Sequence, residues 1–294
     1  MRPNRTAIDA AYRLASPCRI CPRRCGVDRP SGQTGYCKIR GVPIVASAGP
    51  HFGEEPPLVG AAGGSGTIFL SGCNLMCVFC QNHDVSHGAV GAPADPTRIA
   101  KLMLELAELG CPNINFVTPT HVAPWLMDAV ARARDAGLRI PIVWNCGGYE
   151  DLEMLRLLEG TVDIYMPDAK FWDPATAERL ARAPDYPDRM REALHEMHRQ
   201  VGDLCTEPGP GGVPVATRGL LVRHLVMPGG LAETRAILDF IATEISRGTW
   251  VNVMGQYRPL HRAREHPDIA RPLTRAEHAE AVAHARALGL HTFA

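Results

Sequence analysis

The chain has almost no lysine. Among 294 residues it stands only at Lys38, Lys101 and Lys170, and arginine supplies the rest of the positive charge. Lys+Arg and Asp+Glu both number 31, so the formal net charge is +0. Such a balance offers no average field for nucleic acid or an acidic membrane surface, and neither is an expected partner. No apolar run approaches the roughly 18 residues needed to cross a bilayer. Met1 to Thr6 lack the apolar core of a secretory signal, so a cytoplasmic location is expected. A repeat of roughly 20–50 residues, the mark of a solenoid, is also missing.

Cysteine, by contrast, is plentiful. Seven of the ten cysteines fall in two tight groups. On a chain without a signal this favours metal ligation over disulfides, in a reducing compartment. At 294 residues the chain can be one large α/β domain, or a domain with an appendage, and a hydrophobic fraction of 46% supports a substantial core.

The stretch from Gly66 to Asn82 organises the rest. An apolar run, Thr67 to Ser71, reads as a buried strand ending at Gly72. Cys73, Cys77 and Cys80 follow at spacing C-x3-C-x2-C. Three thiolates on one loop can hold three irons of a cubane [4Fe–4S] cluster, whereas electron-transfer clusters use four. The fourth iron is then open to an outside ligand. A zinc loop, or three buried thiols, is the alternative for such a motif alone.

With its aromatic before the last cysteine, this motif resembles the radical S-adenosylmethionine (SAM) superfamily. The wider segment, Gly72 to Asn82, resembles the pyruvate formate-lyase activating enzyme-like branch. The resemblance implies that SAM chelates the open iron through its amino and carboxylate groups. One electron then yields a 5′-deoxyadenosyl radical that abstracts hydrogen from a substrate. It also implies an oxygen-sensitive cluster and a one-electron reductant of the flavodoxin or ferredoxin type.

A second group, Cys18, Cys21, Cys25 and Cys37, has spacing C-x2-C-x3-C-x11-C. Four thiolates separated by glycine and proline can close around a metal. Zinc and a second Fe–S cluster both suit soft thiolates, and a set of thiols without metal is the alternative. The related family also carries a cysteine-rich N-terminus.

A short strand is expected over Pro43 to Ala48. The pair Glu54-Glu55 reads as a solvated turn, with acids near the site as the alternative, and Gly60 to Gly66 as a flexible lead into the next strand, since the glycines lack phosphate-loop order. Strands are then expected at 113–118, 140–145, 162–166, 220–227 and 250–254. Helices are expected at 95–109, 123–136, 151–158, 174–183, 187–201, 233–245 and 274–288, the last opened by the capping box Thr274 to Glu277. Met190, Leu194, Met197 and Val201 read as a core-facing stripe. The Pro208 to Pro214 segment reads as a surface loop. Counting from Thr67 gives six strands, each but the last followed by helix, which implies parallel strands with right-handed crossovers. The fold class is α/β. The resemblance implies a partial (β/α)6 barrel over residues 61–294, behind a cysteine-rich extension over residues 1–60.

Ligands of parallel α/β folds gather at the carboxyl ends of strands. Candidates there are Thr118 with Val117 and the Thr120 hydroxyl, Asn145, Asp168, Lys170 and Arg223, then Asn252, Gln256 and Tyr257. The family usually has a Gly-Gly-Glu-like segment for the SAM amino group where this chain has Thr118-Pro119-Thr120-His121. Asp168 and Lys170 share a face in an extended segment. In the family's terms Lys170 neutralises the SAM carboxylate, Asn145 bonds the carboxylate or ribose, and Phe79 shields the cluster and offers a face to adenine. His87, His121 and His224 are unassigned polar candidates. The isolated Cys111, Cys146 and Cys205 read as core, Cys146 being the one able to face the pocket.

Two substrate classes fit a radical SAM enzyme here. One is a protein with radical formation on a glycine, as for activating enzymes; the other is a small molecule or peptide. A non-catalytic Fe–S carrier or zinc scaffold is the alternative of a different class, and it leaves the missing fourth cysteine unexplained.

Overall fold

The computed structural model describes residues 4–61 and 63–293. Helix α1 (Arg5–Arg13) comes first, followed by the cysteine-bearing segment and strand β1 (Ile44–His51). Next come α2 (Pro56–Val59), β2 (Ser65–Leu70), α3 (His83–Ser86) and the two-residue β3 (Ala92–Pro93). The expected alternation then begins: α4 (Pro96–Glu108), β4 (Ile114–Val117), α5 (Ala123–Asp135), β5 (Ile142–Cys146), α6 (Leu152–Leu157), β6 (Ile164–Pro167). Two helices follow, α7 (Pro174–Ala181) and α8 (Tyr186–Val201), and then a hairpin of β7 (Cys205–Pro208) with β8 (Pro214–Leu225). The chain finishes with α9 (Leu231–Phe240), β9 (Trp250–Met254), α10 (Arg275–Ala287) and β10 (His291–Thr292).

The caps explain where the helices start. Asp95 accepts a hydrogen bond from the Arg98 amide at 2.7 Å, with Pro96 in the first turn of α4. Thr274 and Glu277 form the reciprocal capping box of α10. Met190, Leu194, Met197 and Val201 are buried, so the stripe on α8 is core as expected.

The sheet runs β10-β9-β8-β6-β5-β4-β2-β1-β3, with β7 paired to β8. From β2 to β10 the neighbours along this path are parallel; β1 pairs antiparallel with β2 and with β3. The fold is therefore α/β with a mostly parallel sheet. One expectation needs correction. The β9 strand is followed by a helix and a further parallel strand, β10, which is too short to show a period. The Pro208 to Pro214 segment is an exposed surface loop as expected, and it forms the tip of a hairpin with Pro208 opposite Pro214.

The two faces of the sheet differ. Ile142, Trp144, Tyr165 and Val222 pack with the helices, in the core that also takes in Ile8, Ala11 and Ile39. Their neighbours Val143, Ile164, Met166 and Leu221 point the other way and cluster with Leu58 and Ala216. Two residues further along the same face the side chains turn polar, at Asn145 after Val143 and at Arg223 after Leu221. An apolar floor thus lies beneath a polar mouth at the carboxyl ends of the strands.

Candidate active site

Lateral register puts the polar mouth together. Phe69 lies opposite Val117, Val117 opposite Asn145, and Asn145 opposite Met166. Asp168 bridges to Arg223, which is opposite Asn252. These strand ends and the loop after β2 enclose a cavity of about 450 Å³. Its wall includes Cys73, Cys77 and Cys80 with Phe79, Val117, Thr118, Asn145, Asp168, Lys170, Arg223, Asn252 and Gln256. The three cysteines and the six expected cofactor-side residues thus meet in one place.

The cysteine loop is held from several sides. The Leu75 amide donates to Cys73 Sγ at 3.3 Å. Met76 takes a left-handed φ of 55°, which turns the chain sharply between Cys73 and Cys77. Asn74 Nδ2 donates to the Tyr149 carbonyl at 2.7 Å, and the Val78 amide to the Leu180 carbonyl at 2.9 Å. The Phe79 ring meets Phe171 and Tyr257 edge-on at 6.0 and 6.1 Å between centroids, so it packs in the core as well as lining the cavity. Ser86 Oγ lies 3.1 Å from Cys80 Sγ.

All three thiols are free of disulfides. Burial pushes Cys73 and Cys77 above the usual thiol range, against the pull of the Lys170 ammonium. Such thiols stay protonated until a metal displaces the proton. Among the described residues no three Cys, His, Asp or Glu side chains converge tightly enough for a single metal ion. A tetrahedral zinc with Zn–S of about 2.3 Å draws its thiolates within roughly 4 Å of each other. A cubane binds each thiolate through a different iron, so its ligands sit further apart. Three thiols on one loop lining the cavity suit thiolate ligation of a [4Fe–4S] cluster.

Around it stand groups suited to a charged, polar ligand. Asn145 is 8% exposed, lines the cavity and makes no side-chain hydrogen bond among the described residues. Thr118, a β-branched residue, holds φ at 61°, and its amide donates to the Asn145 carbonyl at 2.9 Å. Left-handed backbone is costly for such a residue and concentrates at functional sites. Lys170 Nζ donates to Asp168 Oδ2 at 2.7 Å. Burial would lower the lysine, but the charge and hydrogen bond of Asp168 outweigh it and hold the ammonium above its ordinary range.

Glu54 and Glu55 are not a solvated turn. Their side chains are 5% and 2% exposed and face Arg223 across the cavity wall. Arg223 Nε and Nη2 donate to the two oxygens of Glu55 at 2.7 and 2.6 Å, and Nη2 also reaches Glu54. Asn252 Nδ2 adds a bond to Glu55 at 2.7 Å. Burial favours the neutral acid, but Arg223 and Asn252 override it, and Glu55 sits below the usual carboxylate range.

Other candidates fall elsewhere. The Thr120 hydroxyl donates to Glu150, so it is not offered to the cavity. His121 is buried on the Ser71 carbonyl at 2.8 Å and pushed down to about 3 by burial and by Arg29. His224 is fixed between the Ala169 carbonyl and Thr234 Oγ1 at 2.6 and 2.8 Å. His87 lines a separate cavity with Lys38, Met76 and His261. Tyr257 donates to the Ile269 carbonyl at 2.7 Å and stays in the core. Cys146 lines the active cavity and Cys111 is buried, whereas Cys205 is exposed rather than core. One residue had no sequence signal: Glu150, 2% exposed, which burial pushes up to about 7 against the bonds from Thr120 and Cys146.

A family model described as the radical SAM superfamily matches residues 67–207, from within β2 to within β7. A protein of Methanocaldococcus jannaschii, the uncharacterized protein MJ0674, is 34% identical over 280 residues, covering 92% of this chain and 74% of that one. The chain belongs to the radical SAM superfamily. It is a radical SAM enzyme, and membership implies a [4Fe–4S] cluster and SAM as its cofactors and cleavage of SAM by means of the cluster. Among solved structures, the radical SAM methyltransferase TsrM from Kitasatospora setae, with cobalamin and a [4Fe–4S] cluster bound, is 18% identical with a TM-score of 0.47. The cobalamin-dependent radical SAM enzyme OxsB is 12% identical with a TM-score of 0.44. The match covers 64% and 74% of this chain, but only 36% and 31% of theirs, about a third of their length. No helix among the described residues is long and apolar enough to cross a membrane.

Proposed function

We propose that this radical SAM enzyme is of the pyruvate formate-lyase activating enzyme-like branch. It would draw hydrogen from a glycine in a protein segment presented at the mouth of the cavity. In this reading residues 61–294 form a partial (β/α)6 barrel, residues 1–60 a cysteine-rich extension with its own metal site, and a flavodoxin- or ferredoxin-type carrier the reductant. The observation that carries it is the meeting of Cys73, Cys77 and Cys80 with Asn145, Asp168 and Lys170 around one cavity. Its volume of about 450 Å³ suits a single ligand of moderate size. A glycine backbone is a slender group to present at this mouth beside SAM. A small molecule or short peptide would be just as slender, and is the second reading.

When bound, the cluster supplies the electron that cleaves SAM to a 5′-deoxyadenosyl radical. The chain's residues do the rest. Cys73, Cys77 and Cys80 give three thiolates and leave one iron without a protein ligand. Lys170, kept charged by Asp168, balances a carboxylate, and the free amide of Asn145 bonds it or the ribose. Val117 and Thr118 present their backbone carbonyls towards an ammonium. Phe79 keeps water from the cluster and offers a ring to adenine. Arg223 closes the wall opposite, neutralised by Glu54 and Glu55.

Anaerobically reconstituted protein with dithionite is expected to convert SAM to 5′-deoxyadenosine, and Cys77→Ala is expected to lose this at least a hundredfold. Undiminished turnover in that variant would remove the assigned ligand set.

A further inference from the structure

Behind the cysteine loop lies a second cavity, of about 300 Å³. Met76 and Val78 of the loop line it, whereas their neighbours Leu75, Cys77 and Phe79 line the cavity described above. One thickness of chain therefore separates the two. Backbone bonds fix the walls of this second cavity to the loop. The Val78 amide donates to the Leu180 carbonyl at 2.9 Å and the Arg262 amide to the Val78 carbonyl at 2.8 Å, which ties down the segments bearing Arg182 and Arg262. On the N-terminal side, a Cβ built on Gly72 would run into the Cys37 carbonyl oxygen. Only glycine, here at φ 82°, lets the residues beside Lys38 come so close to the loop. Lys38 Nζ then donates to the His87 carbonyl at 3.1 Å.

The lining is cationic. Lys38, Arg182 and Arg262 supply the charge, and no carboxylate among the described residues lines the cavity. Arg262 meets Glu265 at 2.6 Å, but Lys38 and Arg182 meet no carboxylate among the described residues. Burial, and then the charges of His261, Lys38, His83 and Arg262, push His87 down to about 4. On a chain whose formal net charge is +0, this is a local excess of positive charge. Leu260, 43% exposed, adds an apolar side chain next to His261. The backbone is strained here as well. Among the described residues six non-glycine residues hold a left-handed φ, and four of them line this cavity: Lys38 at 62°, Met76 at 55°, Arg182 at 51° and His261 at 50°. Such backbone is costly and gathers at functional sites.

We propose that this cationic face is the docking surface for an acidic one-electron carrier, with a carboxylate of the carrier seated against Lys38 and Arg182. The inference rests on the reading above, in which a flavodoxin- or ferredoxin-type protein is the reductant. SAM and substrate take the front of the cysteine loop, which leaves its back for the carrier. One electron leaves the reduced carrier and enters the site on Cys73, Cys77 and Cys80. The carrier is oxidised by that one electron; no bond changes and no proton moves. An acidic surface matches the unpaired cations, and attraction between opposite charges speeds the encounter of the two proteins.

The test is stopped-flow reduction of oxygen-free, full-length protein by an acidic flavodoxin, and by photoreduced 5-deazariboflavin, a small uncharged reductant. In Lys38→Glu/Arg182→Glu the rate with flavodoxin, relative to that with deazariboflavin, should fall roughly tenfold. Lys101→Glu/Arg247→Glu changes the net charge equally at other exposed positions, and should keep the ratio within about twofold. The affinity for oxidised flavodoxin, read by calorimetry, should fall in the same order and requires no reduction. Equal losses in the two double variants, or none in either, would overturn the docking surface. So would binding of inorganic phosphate that Lys38→Glu/Arg182→Glu abolishes while the flavodoxin ratio stays unchanged, since that marks a small-anion site. Flavodoxin bound through these residues to a protein whose cluster never responds to SAM would support the surface and overturn the radical SAM reading instead. If the glutamate variants fail to fold, Lys38→Gln/Arg182→Gln should still lower the ratio, and the wild-type ratio should fall roughly tenfold between about 50 and 500 mM salt; a ratio indifferent to both would overturn the proposal.

Discussion

Arg223→Met removes the charge that two buried carboxylates depend on while keeping much of the side-chain volume. Glu55 accepts two bonds from Arg223, and Glu54 a third. Breaking a buried pair by deleting one partner costs about 3–5 kcal/mol, because the remaining charge is left without compensation. For a chain of this size that is a drop of roughly 6–15 °C in the midpoint of thermal unfolding. The sign with pH follows from Glu55. In the wild type its carboxyl is held below the usual range, so its stabilisation is present above the ordinary carboxylate value and is lost only as pH falls through the lowered one. Without Arg223, burial pushes the same group up. The penalty is then full at pH 8 and shrinks as pH falls through the raised value. Anaerobic melts by circular dichroism, at pH 8 and pH 6 and at matched iron content, should show the larger deficit at pH 8. Arg223→Met/Glu55→Gln should recover more than half of it. A loss under about 2 °C, equal at both pH values, would refute the claim that Arg223 neutralises this wall.

Two further outcomes concern single residues beside the cavity. For Glu150 the rise from 4.5 to about 7 on folding corresponds to about 3 kcal/mol. The folded state binds the proton more tightly, so stability falls as pH rises from 4.5 to about 7; Glu150→Gln should gain about 3 kcal/mol at pH 8 and little near pH 5, as read by unfolding midpoints. Asn145→Ala should raise the KM for SAM about tenfold, the worth of one good hydrogen bond to a charged group. Its unfolding midpoint should stay within about 2 °C of wild type, because the amide makes no protein hydrogen bond; a large thermal loss with unchanged KM would make it a structural residue.

What the sequence made legible follows from how local each signal is. The cysteine loop, the caps at Asp95 and Thr274 and the buried stripe on α8 are written in neighbouring residues, so spacing suffices to find them. Asn145, Asp168, Lys170 and Arg223 were reached by a rule of architecture, that strand ends carry ligands, and the register of the parallel sheet brings them together. Glu54 and Glu55 read first as a turn, and as site acids only in the alternative, because an acidic pair before proline looks like a turn. Only the fold brings Arg223, 168 residues away, alongside Glu55. Glu150 and Thr120 met through a loop contact that no period announces. The contact of Cys37 with Gly72 belongs to the same class, since nothing in either segment shows that they touch.

The central claim is a cluster with one iron that the chain leaves unligated. Electron paramagnetic resonance of the reduced, oxygen-free protein, recorded with and without SAM, addresses it directly. The signal that disappears in Cys77→Ala should change shape when SAM is added, because the nucleotide binds that iron. A signal identical with and without SAM would mean that the chain or solvent already closes the site, and the assignment of Cys73, Cys77 and Cys80 to a SAM-binding cluster would fall.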